Sequence, residues 1–168
     1  LVSGASGLVG TEVIRQLRAE GHEAFRLVRR KASAADEVEW NPSTGFLQEG
    51  IMETIDAVVN MAGATTGKIP WTSKYKEEIV SSRIDSTRTL VKAMENAKHR
   101  PEVFVSGSAS GFYGDCGEKI LSESSPKGSG FLSDLAHAWE QEALKAPTDV
   151  RVVLARTTMV MSRKKGAL

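Results

Sequence analysis

Glycines at positions 4, 7 and 10, in Gly4-Ala5-Ser6-Gly7-Leu8-Val9-Gly10, are the residues whose spacing points most directly to chemistry. Between a strand and a helix, a GxxGxxG run makes a turn on which a phosphate can sit. The first glycine permits the tight turn, the middle one lets a diphosphate approach the backbone, and the third permits close helix-to-strand packing. Amides at the start of the following helix and the positive end of its dipole complete an anion site. The same glycines would also serve a tight turn that binds nothing, so the flanking elements decide. Where a strand precedes and a βαβ unit follows, Gly4, Ser6, Gly7, Leu8, Val9 and Gly10 become contacts for a dinucleotide.

A second set of residues bears on which dinucleotide. An acidic residue about 20 positions beyond the fingerprint accepts the ribose hydroxyls of NAD. Here that place holds Arg29, Arg30 and Lys31. Basic side chains at a strand end pair instead with a ribose 2′-phosphate, a guanidinium doing so through two parallel hydrogen bonds. NADP is therefore expected over NAD, with Arg29 the first choice and Arg30 beside it. The competing reading is a solvated basic cluster. Further along, the small residues Ala62-Gly63-Ala64 close an apolar run and allow a ligand to approach the backbone in a crevice-facing loop.

These residues need a scaffold, and the pattern supplies one. Leu1 to Ser3 is a short opening strand. Leu8, Val9, Val13, Ile14 and Leu17 recur at helical spacing up to a stop at Gly21, and Ala24 to Val28 is the next strand. Strand, glycine turn, helix and strand in that order make a right-handed βαβ unit. The segment from Arg29 to Glu53 reads as irregular, with a short strand at Val38 to Trp40 and a turn at Asn41 to Gly45. Ile55 to Met61 is a buried strand, Lys74 to Ala97 a long helix with Ile79, Ile84, Leu90, Val91 and Met94 inward. Val103 to Val105 is a strand followed by a loop from Ser106 to Gly111, Phe131 to Leu144 is a helix, and Arg151 to Met161 is a last strand. The series predicts one α/β domain over residues 1–168, a Rossmann-like, doubly wound, mostly parallel sheet flanked by helices.

Composition excludes several other classes. With 40% hydrophobic and 26% charged residues and a formal net charge of +1, the chain has neither a disordered composition nor a general nucleic-acid surface. A small molecule is the expected partner, and nothing in the pattern specifies an oligomer. No apolar run approaches the roughly 20 residues that cross a bilayer, and the lone Cys116 fits a reducing compartment, so a cytoplasmic protein is expected. His22, His99 and His137 lack ligand spacing with Cys116, so no metal site is expected. Lys68, Arg83 and Lys127 either meet an anionic substrate or form solvated surface. The short opening strand and the basic Ser162 to Leu168 segment suggest a truncated chain.

The sequence resembles the extended short-chain dehydrogenase/reductases, and within them the atypical branch of NAD-dependent epimerase/dehydratase, or epimerase-family, proteins. The resemblance rests on the glycine turn, on Asn60-Met61-Ala62-Gly63, and on Trp71-Thr72 leading through Lys76 to Ser82-Arg83 and Thr87. It continues through Ser108-Ala109-Ser110-Gly111-Phe112-Tyr113-Gly114, the Leu121 to Pro126 segment, Trp139-Glu140 and Gly166-Ala167-Leu168. It implies that a smaller C-terminal substrate-binding portion follows. It also implies that Gly63 and its neighbours lie beside the adenosine and ribose of the cofactor, and that the loop after Val105 lies near the nicotinamide. Asn60 is then either a cofactor contact or a strand-end hydrogen-bonder.

In catalytic relatives of this kind, a Ser or Thr after that strand holds the reacting oxygen, and Ser108 matches it. Its hydroxyl can donate and accept hydrogen bonds there, or cap the loop backbone instead. The Tyr-xxx-Lys pair of such relatives has no counterpart around Phe131 to Ala136. Tyr113 is the substitute acid/base candidate, although an unperturbed phenol titrates near ~10, and the alternative is that Phe112 and Tyr113 only pack the loop. The resemblance thus implies an NADP-dependent oxidoreductase or epimerase acting by hydride transfer on a small carbonyl or sugar-like substrate. The alternative is a noncatalytic NADP-binding or redox-sensing protein.

Overall fold

The computed structural model describes residues 1–162, so the Gly166-Ala167-Leu168 match lies outside the described residues. Among the described residues, seven strands and three α-helices follow one another as β1 (Val2–Ser3), α1 (Leu8–Ala19), β2 (Arg26–Val28), β3 (Glu37–Asn41), β4 (Phe46–Leu47), β5 (Ala57–Asn60), α2 (Ser73–Asn96), β6 (Val103–Ala109), α3 (Phe131–Ala143) and β7 (Arg151–Thr157). The strands form one sheet in the order β4-β3-β2-β1-β5-β6-β7. Every neighbouring pair is parallel except β3 with β4, which are joined by the turn at Asn41 to Gly45. This is the expected doubly wound α/β sheet with an added antiparallel edge.

Local chemistry explains the helices. On α1 the Glu12 carboxylate accepts from Arg15 Nε at 2.9 Å on the solvent side. Gly21 ends the helix in the left-handed region, and the His22 amide donates back to the Leu17 carbonyl at 2.9 Å. On α2 the hydroxyl of Thr72 accepts from the Tyr75 amide, a side-chain cap for the long helix. Neighbouring strand residues point to opposite faces. Val58 packs with Leu90, Met94 and Phe104 on the α2 side, whereas Val59 packs with Val2 and Ile14 on the α1 side.

Beyond the edge strand β4, which lies in the segment expected to be irregular, and element ends that shift by one or two residues, three segments differ from the expectation. Strand β6 runs on through Ser106 and Ser108 to Ala109, because β7 pairs with it along that whole length, while β5 pairs with it as far as Ser106. Strand β7 ends at Thr157 rather than Met161, where the pairing with Ala109 stops. Ile84 is only half-buried, and the inward face of α2 carries Ser86, Thr87 and Thr89 as well as apolar residues.

Of these, Thr87 matters because it joins a buried chain of hydrogen bonds. Ser3 at the end of β1 donates to Asn60 Oδ1 at 2.5 Å and accepts from the Met61 and Ala62 amides, each at 3.1 Å. Asn60 Nδ2 donates to Thr87 Oγ1 at 2.9 Å, and Trp139 Nε1 donates to the same oxygen at 2.9 Å. The Thr87 hydroxyl in turn donates to the Arg83 carbonyl at 2.8 Å. Ser3, Asn60 and Thr87 are sealed from solvent. β1, β5, α2 and α3 are thereby tied at one point, and every hydroxyl and amide in the chain is satisfied. Thr87→Val keeps the shape but strands two buried donors, and is expected to cost about 2–4 kcal/mol in urea-denaturation measurements, since each unsatisfied buried group costs ~1–3 kcal/mol. The exposed Ser81→Ala is expected to shift stability by less than ~0.5 kcal/mol.

Candidate functional site

The chain crosses between β2 and β5 on either side of β1, so the carboxyl ends of β1 and β5 diverge and open a crevice. Gly4 leaves β1 with φ +63°, and a side chain there would lie 2.5 Å from the Met61 carbonyl oxygen. A side chain at Gly10 would run into the Gly4 carbonyl, so the start of α1 sits tight against the strand end. Gly7 is the N-cap of α1 without a side-chain cap, and no acidic residue stands in the first turn. The first-turn amides of Leu8, Val9 and Gly10 lack intrahelical acceptors by geometry. They lie at the wall of the crevice, an arrangement suited to an anion.

The crevice has two lobes that share Gly4, Gly7 and Met61. One lobe, about 690 Å³, is lined by Ser6, Arg29, Arg30, Ala62 and Gly63 among others. The second, about 540 Å³, is lined by Leu8, Val9, Gly10, Arg83, Ser108 and Trp139 among others. The glycine turn therefore sits at the middle of an elongated site with a basic end and a hydroxyl-bearing end. Of the residues predicted for the cofactor and the chemistry, all but Asn60 and Tyr113 line this crevice; of the three basic candidates for an anionic substrate, Arg83 lines it and Lys68 and Lys127 do not. Asn60 is fully buried and its amide is engaged by Ser3 and Thr87, the strand-end role.

The basic residues are not equivalent. Arg30 donates to both carboxylate oxygens of Glu37, at 2.8 and 2.6 Å, and Arg26 is bidentate on Asp36 at 2.9 Å. Hydrogen bonds from Arg30 and from the Ser33 amide hold the Glu37 carboxyl down at about 2. Arg29, by contrast, is exposed on the lobe wall and has no hydrogen bond or ion pair among the described residues. Lys127 is paired with Asp134 at 2.6 Å, and the Lys68 ammonium sits 5.0 Å over the Tyr75 ring.

At the other end, Ser108 donates to Glu140 Oε1 at 2.6 Å. Arg156 grips the same carboxylate, Nε to Oε1 at 2.7 Å and Nη2 to Oε2 at 2.9 Å. Its remaining Nη1 donates to the Tyr113 hydroxyl at 2.8 Å, and the guanidinium stacks 3.7 Å over the Phe112 ring. Tyr113 lines neither lobe, and Arg156 stands as its link to Ser108. Glu140 and Arg156 were missed as site residues from sequence; the Trp139-Glu140 match was the one available signal. Where a Tyr-xxx-Lys pair would stand, α3 presents Leu132, Leu135 and Ala136 to the lobe.

Burial alone would raise the Glu140 carboxyl, but hydrogen bonds from Arg156 and Ser108 outweigh it and hold the group below its ordinary value. A depressed folded-state value means that the pair's stabilisation is complete above the unfolded carboxyl range of about 4.3 and is lost as pH falls through the lower folded value. Unfolding free energy measured from pH 6 down to pH 3 is expected to fall more steeply in the wild type than in Glu140→Gln. Arg156→Gln, which leaves a buried carboxylate unpaired, is expected to be destabilised by about 3–5 kcal/mol at pH 7.

The chain matches the NAD dependent epimerase/dehydratase family over residues 1–167. An epimerase family protein of Mycobacterium leprae is 36% identical over 168 residues, covering 99% of this chain and 54% of that protein. The chain spans about half the length of the curated bacterial relatives it matches at this level. Among solved structures, the human epimerase family protein SDR39U1 (isoform 2), determined with NADPH, superposes with a TM-score of 0.87 at 28% identity, covering 99% of this chain and 55% of that one. A nucleoside-diphosphate sugar epimerase from Corynebacterium glutamicum gives a TM-score of 0.85 at 31% identity, covering 99% of this chain and 35% of the other. Matched by the family model along almost its whole length, this chain belongs to the NAD dependent epimerase/dehydratase family.

Proposed function

We propose that this chain is the cofactor-binding part of an NADP-linked oxidoreductase or epimerase that acts on a small carbonyl or sugar-like substrate by hydride transfer. The observation that carries the reading is the two-lobed crevice meeting at an uncapped helix start, with Arg29 at one end and Ser108 at the other. The residues fit a dinucleotide. Gly4 and Gly10 clear the backbone for the turn, Gly7 leaves its front open, and Ser6, Ala62 and Gly63 line the lobe on the adenosine side. Arg29 is the free guanidinium for a ribose 2′-phosphate, while Arg30 holds Glu37 and shapes the wall beside it. The human relative determined with NADPH supports the same choice of cofactor.

When bound, the nicotinamide supplies or withdraws the hydride. The chain's own residues handle the substrate oxygen. Because Ser108 gives its proton to Glu140, its oxygen lone pairs are free to accept from a substrate hydroxyl in the second lobe. Glu140 and Arg156 act as positioning residues that fix this orientation. Tyr113 supports Arg156 from behind and acts through packing. The noncatalytic alternative rests on the apolar face of α3, which offers no acid or base to the lobe.

Binding titrations with NADPH and NADH on wild type and Arg29→Ala test the cofactor. The wild type is expected to prefer NADPH, and the variant to lose about tenfold or more toward NADPH alone, as befits a charged hydrogen bond of ~1.5–3 kcal/mol. Equal wild-type affinities would remove the phosphate pairing. Ser108→Ala is expected to lower turnover by about 10²-fold with NADPH affinity unchanged, and Tyr113→Phe to keep it within a few-fold. A broad carbonyl screen on the whole protein that finds NADPH binding but no NADPH oxidation would favour the noncatalytic alternative.

A further inference from the structure

A carboxylate stands among the guanidinium groups of the Arg29 lobe. Glu37 opens β3 and lines the same space as Arg26, Arg29 and Arg30. An acid in that place has two uses. It accepts the ribose hydroxyls of a dinucleotide, or it holds basic side chains that would otherwise meet a phosphate. Its partners decide between them. Glu37 Oε1 accepts from Arg30 Nη2 at 2.6 Å and has Arg26 Nη2 at 3.4 Å. Oε2 accepts from Arg30 Nη1 at 2.8 Å, from the Ser33 amide at 2.9 Å and from the Ser33 hydroxyl at 3.1 Å. Both oxygens are occupied from within the chain and the residue is buried, which closes the ribose role to it.

The two members of the Arg30 pair differ in freedom. The Glu37 side chain is 3% exposed, whereas that of Arg30 is 58% exposed. The carboxylate is therefore the fixed member, and it pins a long side chain that has room to turn in solvent. Arg30 follows Arg29 directly at the end of β2, and both line the lobe, so an unpinned Arg30 is available to the anion that Arg29 meets. Two guanidinium groups on one phosphate bind it more tightly than one, because each adds charge-assisted hydrogen bonds. The pin does not titrate near neutral pH, since hydrogen bonds from Arg30 and the Ser33 amide hold the Glu37 carboxyl at about 2.

We infer, resting on the NADP reading of this lobe, that Glu37 is a positioning residue that limits phosphate recognition, withholding Arg30 so that Arg29 alone meets the 2′-phosphate. Removing the charge of Glu37 then strengthens cofactor binding, the opposite of what the loss of a structural strut does.

The test uses the whole protein as wild type, Glu37→Gln, Arg30→Ala and the double variant, each checked for an unchanged far-UV spectrum. NADPH and NADH are titrated by nicotinamide fluorescence at low and high salt. Glu37→Gln is expected to bind NADPH about fivefold or more tightly, with NADH within about twofold and a steeper loss of NADPH affinity with salt, from the added cation. Arg30→Ala alone is expected to stay within about twofold of wild type for both, and to abolish the gain when combined with Glu37→Gln.

A folded Glu37→Gln whose NADPH affinity is unchanged or weaker, beside a wild type that prefers NADPH, would overturn the role and leave Glu37 a strut of segment 29–36. A gain that survives Arg30→Ala overturns it equally, since the effect is then that of the lost negative charge itself. If Glu37→Gln does not fold, Arg30→Ala decides: a loss of about tenfold toward NADPH shows that Arg30 is not withheld, and affinity within about twofold supports the pin. Equal wild-type affinities for the two dinucleotides remove the phosphate role of Arg29. A new NADPH preference in Glu37→Gln then still supports the withholding of Arg30, and no new preference removes both.

Discussion

The Ser3, Asn60, Thr87 and Trp139 chain of hydrogen bonds is the constraint on which the site depends. Two parallel strands that part company at their carboxyl ends must leave amides exposed where the ladder stops. Ser3 accepts from two of them, Met61 and Ala62, and so directs the segment after β5 away from β1. The Gly4 turn and the first turn of α1 face the gap that results. Because Thr87 Oγ1 accepts from both Asn60 and Trp139, the position of α3 is fixed by the same oxygen that fixes β5. The lobe between Ser108 and Arg83 has Trp139 as a wall, so its shape follows from this buried polar chain and not from the apolar core alone.

Periodicity made most of the elements legible because each helix and strand buries one clear set of apolar residues. The glycine turn was equally legible, since only glycine tolerates the close approach of Gly4 to Met61 and of Gly10 to Gly4. Strand β6 was cut short at Val105 because Ser106, Gly107 and Ser108 have no apolar alternation to show. They are in the sheet because β7 pairs with all three and β5 with Ser106, a tertiary fact that no local window contains. Likewise Arg29 and Arg30 read alike in sequence. What separates them is Glu37, seven residues beyond Arg30, whose carboxylate Arg30 takes with both Nη1 and Nη2.

Ser108 illustrates the harder case. Its candidacy came from a resemblance, while the residues that fix its orientation lie 32 and 48 positions away and carry no spacing signal. Glu140 and Arg156 meet only because α3 packs over the ends of β6 and β7. Charged residues in a sequence announce their sign but not their partner, and the partner decides whether a charge is structural or available. Arg156 and Arg30 are consumed by carboxylates. Arg29 and Arg83 are not, and both line the crevice.

The replacement of an acid/base pair on α3 by Leu132, Leu135 and Ala136 changes what the second lobe can do. A tyrosine beside a lysine presents a proton that can be given or taken near neutral pH. Here the ionisable groups are withdrawn behind Ser108, and Arg156 keeps Glu140 as a carboxylate that draws the serine proton inward. The surface offered to a ligand is then an acceptor oxygen, an apolar helix face and, across Trp139, an unpaired guanidinium. An acceptor at one end and a fork of donors at the other distinguish the two ends of a bound molecule.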